Sequence, residues 1–441
     1  MKKLIIALLG IILIGAAGYV LFQSLSPSAG PVIVIGLDGA DWNIMDPLFE
    51  QGKLPNLRAL RDQGTWGVFE TFRPTKSPVV WTSIATGKTM LKHGVLDFKF
   101  VDDNNIEIPY SVDDIRVKFV WEILSDNGFK AGVTNWFCTF PASEFNGYCI
   151  SDRFRISVDH SLEYEGVTSP PELKDVIYPK VERFEDNRYG EIIREEKIDN
   201  YLTRARRFNI EVPEGRDRQI NQFRRYLLQD KSIENTALFM LEKIPVDFFA
   251  VYLRLIDTTS HFASLFIDDT LREKWIAENE EFGGPTPETE KLLYANMMEI
   301  METVYVYMDN VVGRIINRAP KDATFIVLSD HGFNFSPIGY NHYGTPKIPH
   351  GIIILNGPQV RSGHTLDSIN VYDFAPTVLH LYGLPMGQDM DGRVVQEVFR
   401  KERKPRFVET HETGQGRAGS KKPRALDKEV LEDLKTLGYI K

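Results

Sequence analysis

The stretch "PVIVIGLDG" (31–39) is an apolar run with no alternating polar face, closed by Asp38 and Gly39. A strand wetted on one side alternates, so a continuous run of this length reads as a strand covered on both faces, as in a parallel sheet. Three further stretches repeat the pattern: "KAGVTNW" (130–136), "VDFFAVYLRLID" (246–257) and "ATFIVLSDHG" (323–332). Helical text separates them. "LPNLRALRDQG" stops at Gly64, and "PETEKLLYANMMEIMETVYVYMDNVVGRIINRAP" keeps apolar residues at helical spacing over many turns. Alternation of strand and helix predicts an α/β fold, a doubly wound and mostly parallel sheet with helices on both faces. Residues 158–245 are Arg/Glu-rich and poor in strand-like runs, and are expected to form a helical insertion capping a catalytic domain of residues 31–400.

Three of the strand-like runs end in an acid: Asp38 in "GLDG", Asp257 in "RLID" and Asp330 in "LSDH". Ligands of open α/β sheets bind beyond the carboxyl ends of the strands, so these carboxylates are expected to converge on one crevice. A single such Asp is ordinarily a turn former; three, two of them accompanied by His, describe a site. In "DTTSH", His261 follows Asp257 by four residues, which puts both on one face of a helical turn where they can share a metal. Asp330 and His331 add an oxygen and a nitrogen ligand, and mixed carboxylate and imidazole donors suit zinc better than magnesium or calcium. A further histidine is needed beside Asp257 and His261. His350, directly before "GIIILNGP", is the first choice and His342 its rival.

Two trios result: Asp257, His261 and His350 for one divalent ion, and Asp38, Asp330 and His331 for a second that would also hold Ser77. Zinc is expected, with manganese as the alternative. Two ions about 3.5–4 Å apart can clamp the attacking and leaving oxygens of a displacement at phosphorus. Ser77 lies in "RPTKSPVVWTSIATG" (73–87), where a Ser before a Pro and a closing Gly87 mark a helix start and stop. Ser77 is therefore expected to cap the helix, with about 1 kcal/mol of stability at stake. Metal coordination would also make it a nucleophile, facing an anion at the helix N-terminus.

With these motifs in place, the chain resembles the alkaline phosphatase superfamily, in particular the type I phosphodiesterase/nucleotide pyrophosphatase branch and its phosphohydrolase/phosphomutase relatives. The resemblance runs through "VIGLDGAD", "PTKSPVVWTSIATGKTMLKHGVLDF", "DTTSH", "SDHG", "HGIIILNGP" and "YDFAPTVLHLYGLPMGQDMDGRVV", and the closing "LKTLGYIK" is familiar from the same relatives. It implies that Ser77 is the nucleophile, that Asp38, Asp330 and His331 bind the metal beside it, and that Asp257, His261 and His350 bind the metal that activates water. It further implies a phosphoseryl intermediate, hydrolysed or passed to an acceptor. One position departs from the pattern: nucleotide pyrophosphatases carry an Asn shortly after "HG", and here Phe98 stands there, which weakens a claim for nucleotide diesters. Asn135 and Lys76 are substitutes for a phosphate contact, although strand-end and turn chemistry accounts for both.

Three other functions compete. A sulfatase needs C/S-x-P-x-R at the nucleophile, whereas Ser77 is followed by Pro78, Val79, Val80 and Trp81. A phosphoryl-group transferase acting on lipid or glycan head groups would use the same site. A catalytically inactive, membrane-tethered binding protein would have no reason to hold all seven site residues.

The net charge of −9 offers nucleic acid phosphates no general attraction, which leaves a phosphorylated small molecule, lipid or glycan as the expected substrate. "MKK" precedes an uncharged apolar run, Leu4 to Phe22, near the length that crosses a bilayer. Residues 1–23 are expected to anchor the chain, Lys2 and Lys3 keeping that end in the cytoplasm and placing the domain outside, in the periplasm or at the cell surface. Cleavage of this segment would release a secreted protein. Residues 24–30 read as a linker, and 401–441 as a basic tail with a short C-terminal helix, mobile until its last turn. Cys138 and Cys149 admit either a disulfide or a buried free pair.

Overall fold

The computed structural model describes residues 30–157, 164–181, 216–262, 269–284, 286–333, 347–414 and 427–440. The expected anchor, His342, and residues 158–163 and 182–215 of the expected insertion lie outside them. Among the described residues no helix is long and apolar enough to cross a membrane.

The strands up to Asn370 are β1 (Val32–Leu37), β2 (Thr65–Glu70), β3 (Lys99–Val101), β4 (Glu107–Pro109), β5 (Ala131–Thr134), β6 (Gly147–Ile150), β7 (Thr168–Ser169), β8 (Phe248–Leu253), β9 (Thr324–Leu328), β10 (Gly351–Asn356) and β11 (His364–Asn370). Nine of them form one sheet in the order β11-β2-β10-β9-β1-β8-β5-β6-β7, while β3 and β4 pair separately. β1 runs parallel to both β8 and β9, β5 parallel to β8 and β6, and β2 parallel to β11. β10 is antiparallel to β2 and β9, and β7 to β6.

The four runs read as doubly covered strands are β1, β5, β8 and β9, every residue of which is buried. Their side chains divide between two cores. Ile33, Ile35 and Leu37 of β1 join one with Phe249, Val251 and Leu253 of β8. Val32 and Val34 join the other with Phe248, Ala250 and Tyr252. Period-two alternation across a sheet with helices on both faces requires this division. The first core is covered by helices Pro55–Asp62, Arg216–Lys243 and Pro287–Arg318, the second by Ser77–Thr86, Val120–Asp126 and Phe374–Leu381. The described part of the 158–245 segment is not all helical: Thr168–Ser169 adds β7 to the sheet edge, while helix Arg216–Lys243 places Phe223, Tyr226 and Leu227 in the main core.

The C-terminal segment corrects an expectation. Helix Asp427–Thr436 buries Val430 and Leu434, and Leu437 joins them in the first core, so the packing begins well before the last turn. Cys138 and Cys149 are both buried and are not joined by a disulfide, which settles that alternative against a bond.

Helix Ser77–Thr86 is buried at all ten residues, so its hydroxyls need internal partners. Thr82, Ser83 and Thr86 donate to the carbonyls of Pro78, Val79 and Thr82, at 2.6, 2.9 and 2.8 Å. His93 braces the same helix: its Nδ1 accepts from the Val95 N–H at 3.1 Å, leaving the Nε2 proton for Ser83 Oγ at 2.9 Å. Burial pushes the His93 imidazole down to about 3. Because the unfolded chain protonates this group near 6.5, its contribution to stability is complete above that pH and drains away as pH falls towards 3. Thermal denaturation between pH 8 and 5 is expected to show a loss approaching roughly 1.4 kcal/mol per pH unit from this residue, and His93→Gln should flatten that slope.

Candidate active site

β1 lies between β9 and β8, all three parallel, so their carboxyl ends are neighbours. Asp38 follows β1, Asp330 stands two residues beyond β9, and Asp257 occupies the first turn of helix Leu255–Phe262 after β8. Gly39, at φ 75°, makes the turn after Asp38. A Cβ there would sit 2.5 Å from the Phe333 ring and 3.0 Å from Asp257 Cα, so the crowding of the site itself requires glycine. Gly36 admits the Trp81 indole against β1, where a Cβ would meet the ring at 2.8 Å.

His331 Nε2 is the meeting point. It lies 3.4 Å from Asp38 Oδ1, 3.5 Å from Asp330 Oδ2, 4.0 Å from Asp257 Oδ1 and 3.4 Å from Ser77 Oγ. The other ring nitrogen, Nδ1, faces the Gly332 carbonyl at 3.0 Å. Carrying the proton there, it leaves an Nε2 lone pair for the centre. His261 Nε2 lies 3.5 Å from Asp257 Oδ1, as the four-residue spacing on one helix requires.

Asp38, Asp257, Asp330, His331 and Ser77 are each no more than 1% exposed. Burial first, and then the Asp257 charge, raises Asp38; burial and the Asp38 charge hold Asp330 well above the usual carboxylate range. At Asp257 burial also acts upward, but His261 and His331 outweigh it and the carboxyl lies below its ordinary value. An ionised carboxylate loses several kcal/mol on burial, and a hydrogen bond to a charged group returns about 1.5–3 kcal/mol. Asp38 Oδ2 receives two, from the Tyr252 hydroxyl and from Trp81 Nε1 at 3.3 Å. Asp38 Oδ1 and both Asp330 oxygens accept none from the described residues. A bound cation would offset this deficit. The ligand atoms of Asp38, Asp330 and His331 lie within 4.8 Å of one another, the one such group among the described residues, and its two carboxylates and one imidazole fit a transition-metal dication.

The remaining expected positions fare differently. Ser77 is not the helix cap: Lys76 holds that place, with extended backbone and a carbonyl that accepts from Val79 and Val80 N–H at 2.9 and 3.0 Å. Ser77 is already the first helical residue, so its hydroxyl faces His331 instead of the helix's own N–H groups. His350 also departs from expectation. Its Nδ1 accepts from the Thr71 N–H at 3.1 Å, which puts the proton of a neutral ring on Nε2 and leaves no lone pair for a metal in this arrangement. Lys76 pairs with Asp97, and the Asn135 amide donates across to the Tyr252 carbonyl of β8 at 3.0 Å. Tyr252, Trp81 and Tyr439, which donates to Asp257 Oδ2, were not singled out by sequence reasoning. Their partners are distant in sequence, and only the closing "LGYIK" gave any signal.

The family to which the chain belongs makes it a phosphoester hydrolase, and its α/β fold is alkaline-phosphatase-like. The chain belongs to the type I phosphodiesterase/nucleotide pyrophosphatase family, whose family model matches residues 32–347. No curated protein sequence matches it. Among solved structures it is similar to murine ectonucleotide pyrophosphatase/phosphodiesterase 5, at 14% identity and a TM-score of 0.46 over 84% of this chain and 100% of that one. It is also similar to a phosphonate monoester hydrolase from Silicibacter pomeroyi, at 13% identity and a TM-score of 0.45 over 83% of this chain and 76% of that one.

Proposed function

We propose that this hydrolase cleaves phosphate esters through Ser77. The Ser77 oxygen forms a bond to phosphorus as the bond to the leaving alcohol breaks, giving a phosphoseryl enzyme and an alkoxide that takes up a proton. Water then attacks the phosphoserine, releasing phosphate, or a monoester where the substrate was a diester, and restoring the hydroxyl. The observation that carries this reading is the Ser77 hydroxyl, buried at a helix start 3.4 Å from His331 Nε2 and beside the Asp38–Asp330 pair. A dication held by Asp38, Asp330 and His331, with zinc favoured by the donor set, would supply positive charge that favours the Ser77 alkoxide. Asp257 and His261 would hold a second ion. The third ligand of that ion is then His342, since His350 is committed to Thr71. In zinc titrations His342→Ala is expected to lose one equivalent and His350→Ala to keep both; the reverse would return His350 to the ligand set.

The apolar run Leu4–Phe22 with Lys2 and Lys3 before it supports a domain displayed outside the cytoplasm on a membrane anchor. A phosphorylated lipid, glycan or head group is then the natural substrate class, and Phe98 in place of the family's Asn argues against nucleotide diesters. The full-length enzyme, assayed with a chromogenic phosphate monoester and diester with and without zinc, should show zinc-dependent turnover. Acid quenching should yield a peptide phosphorylated at Ser77. Two bound metals without turnover would favour phosphoryl transfer to a specific acceptor, and no bound metal would leave a binding protein.

A further inference from the structure

Two of the buried carboxylates are held in the same way. Asp38 turns Oδ2 to the Tyr252 hydroxyl and the Trp81 indole, which leaves Oδ1 3.4 Å from His331 Nε2. Asp257 turns Oδ2 to the Tyr439 hydroxyl and directs Oδ1 inward, 3.5 Å from His261 Nε2 and 4.0 Å from His331 Nε2. Tyr252 belongs to β8, directly below the site. Tyr439 is contributed by the far end of the chain, 182 residues from Asp257.

What brings Tyr439 there is a docked segment. Val430, Leu434 and Leu437 join the first core; Asp433 accepts from Arg254 Nη1 at 3.0 Å, and Asp427 pairs with Arg153 in a buried contact. The Tyr439 ring then lies flat on Phe98, with centroids 4.7 Å apart and planes at 11°, and stands perpendicular to His261 at 4.8 Å and 90°. The hydroxyl thus fixes the Asp257 carboxylate while the ring fixes the plane of His261. Phe98, the position that departs from the family pattern, is the backing of that ring.

We propose that Tyr439 is a positioning residue for the half-site of Asp257 and His261, and that the C-terminal segment thereby completes the active site. The inference rests on the reading of Asp257 and His261 as metal ligands. Hydrogen bonds to the outer side of a ligating group commonly change metal affinity by about 10–100-fold. Tyr439→Phe removes the hydroxyl and keeps the stack on Phe98, so it isolates the contact without undocking the segment.

The test is zinc titration of the full-length, metal-stripped protein, with melting temperature recorded on the same samples. Tyr439→Phe is expected to weaken one of two zinc sites about 10-fold and leave the other unchanged, while the metal-free protein melts lower only by the one hydrogen bond that Asp257 loses. With a chromogenic phosphate ester and limiting zinc, kcat should fall while KM holds. Phe98→Ala, which frees the ring, should weaken the same site. Tyr439→Phe binding both ions as tightly as the wild type would overturn the proposal. Asp257→Ala separates the two levels of inference: losing one zinc upholds the ligand reading, so that a silent Tyr439→Phe then refutes the role of Tyr439 alone. Two tight ions in Asp257→Ala would refute the ligand assignment and the proposal with it.

Discussion

Ser77→Ala is expected to lower ester hydrolysis by about 10³-fold or more, the order lost when a covalent nucleophile is removed, while the melting temperature stays close to that of the wild type. The second half follows from geometry. A helix-capping Ser would cost about 1 kcal/mol on truncation, but the cap here is the Lys76 backbone, and the Ser77 hydroxyl points at His331. Losing one buried hydroxyl that makes a long 3.4 Å contact costs the fold little. Initial rates with a chromogenic phosphate ester, together with a thermal melt, check both halves. Full activity in the variant would sink the assignment and turn attention to Thr75, because the Thr82 hydroxyl is already committed to the Pro78 carbonyl at 2.6 Å.

Asp330→Asn is expected to act with opposite signs on stability and on function. In the metal-free protein Asp330 is fully buried beside Asp38, and neither oxygen accepts a hydrogen bond from the described residues. Burial and the Asp38 charge make Asp330 take up a proton to remain there, whereas an Asn side chain is neutral from the start and still offers Asp38 a donor. Relief of about 1–3 kcal/mol should follow, visible as a higher melting temperature in chelator. With zinc the order reverses. A ligand that binds only the folded state stabilises it by mass action, and a variant lacking one ligand loses most of that gain. Hydrolysis should fall nearly as far as in Ser77→Ala. A variant less stable than the wild type in chelator would show that the carboxylates are not in conflict when the metal is absent.

Composition and period made much of this molecule legible. The continuous apolar runs at 31–39, 130–136, 246–257 and 323–332 became four adjoining strands because a strand covered on both faces has no polar side to show. Their acidic ends converged because parallel strands point the same ends in one direction, which is also why Asp38, Asp257 and Asp330 stood out before any contact was known. β2 and β11 gave a weaker signal: burial alternates along β2 and is patchy along β11, the edge strand, so neither shows a continuous apolar run. Nothing in the apolar run of β10 shows that it pairs antiparallel with its neighbours.

By itself, then, the sequence determined the α/β class, the three acid-bearing strand ends, the shared helical turn of Asp257 and His261, and the serine at a helix start. These are local properties, fixed by spacing along one element. The tertiary structure alone decided which residue caps that helix, that His350 is bound by Thr71, and that Tyr252 and Tyr439 each hold the outer oxygen of an active-site carboxylate. The last contact joins residues 182 positions apart. Such pairs are set by how whole elements pack, and a hydrogen bond between two elements leaves no period in either one.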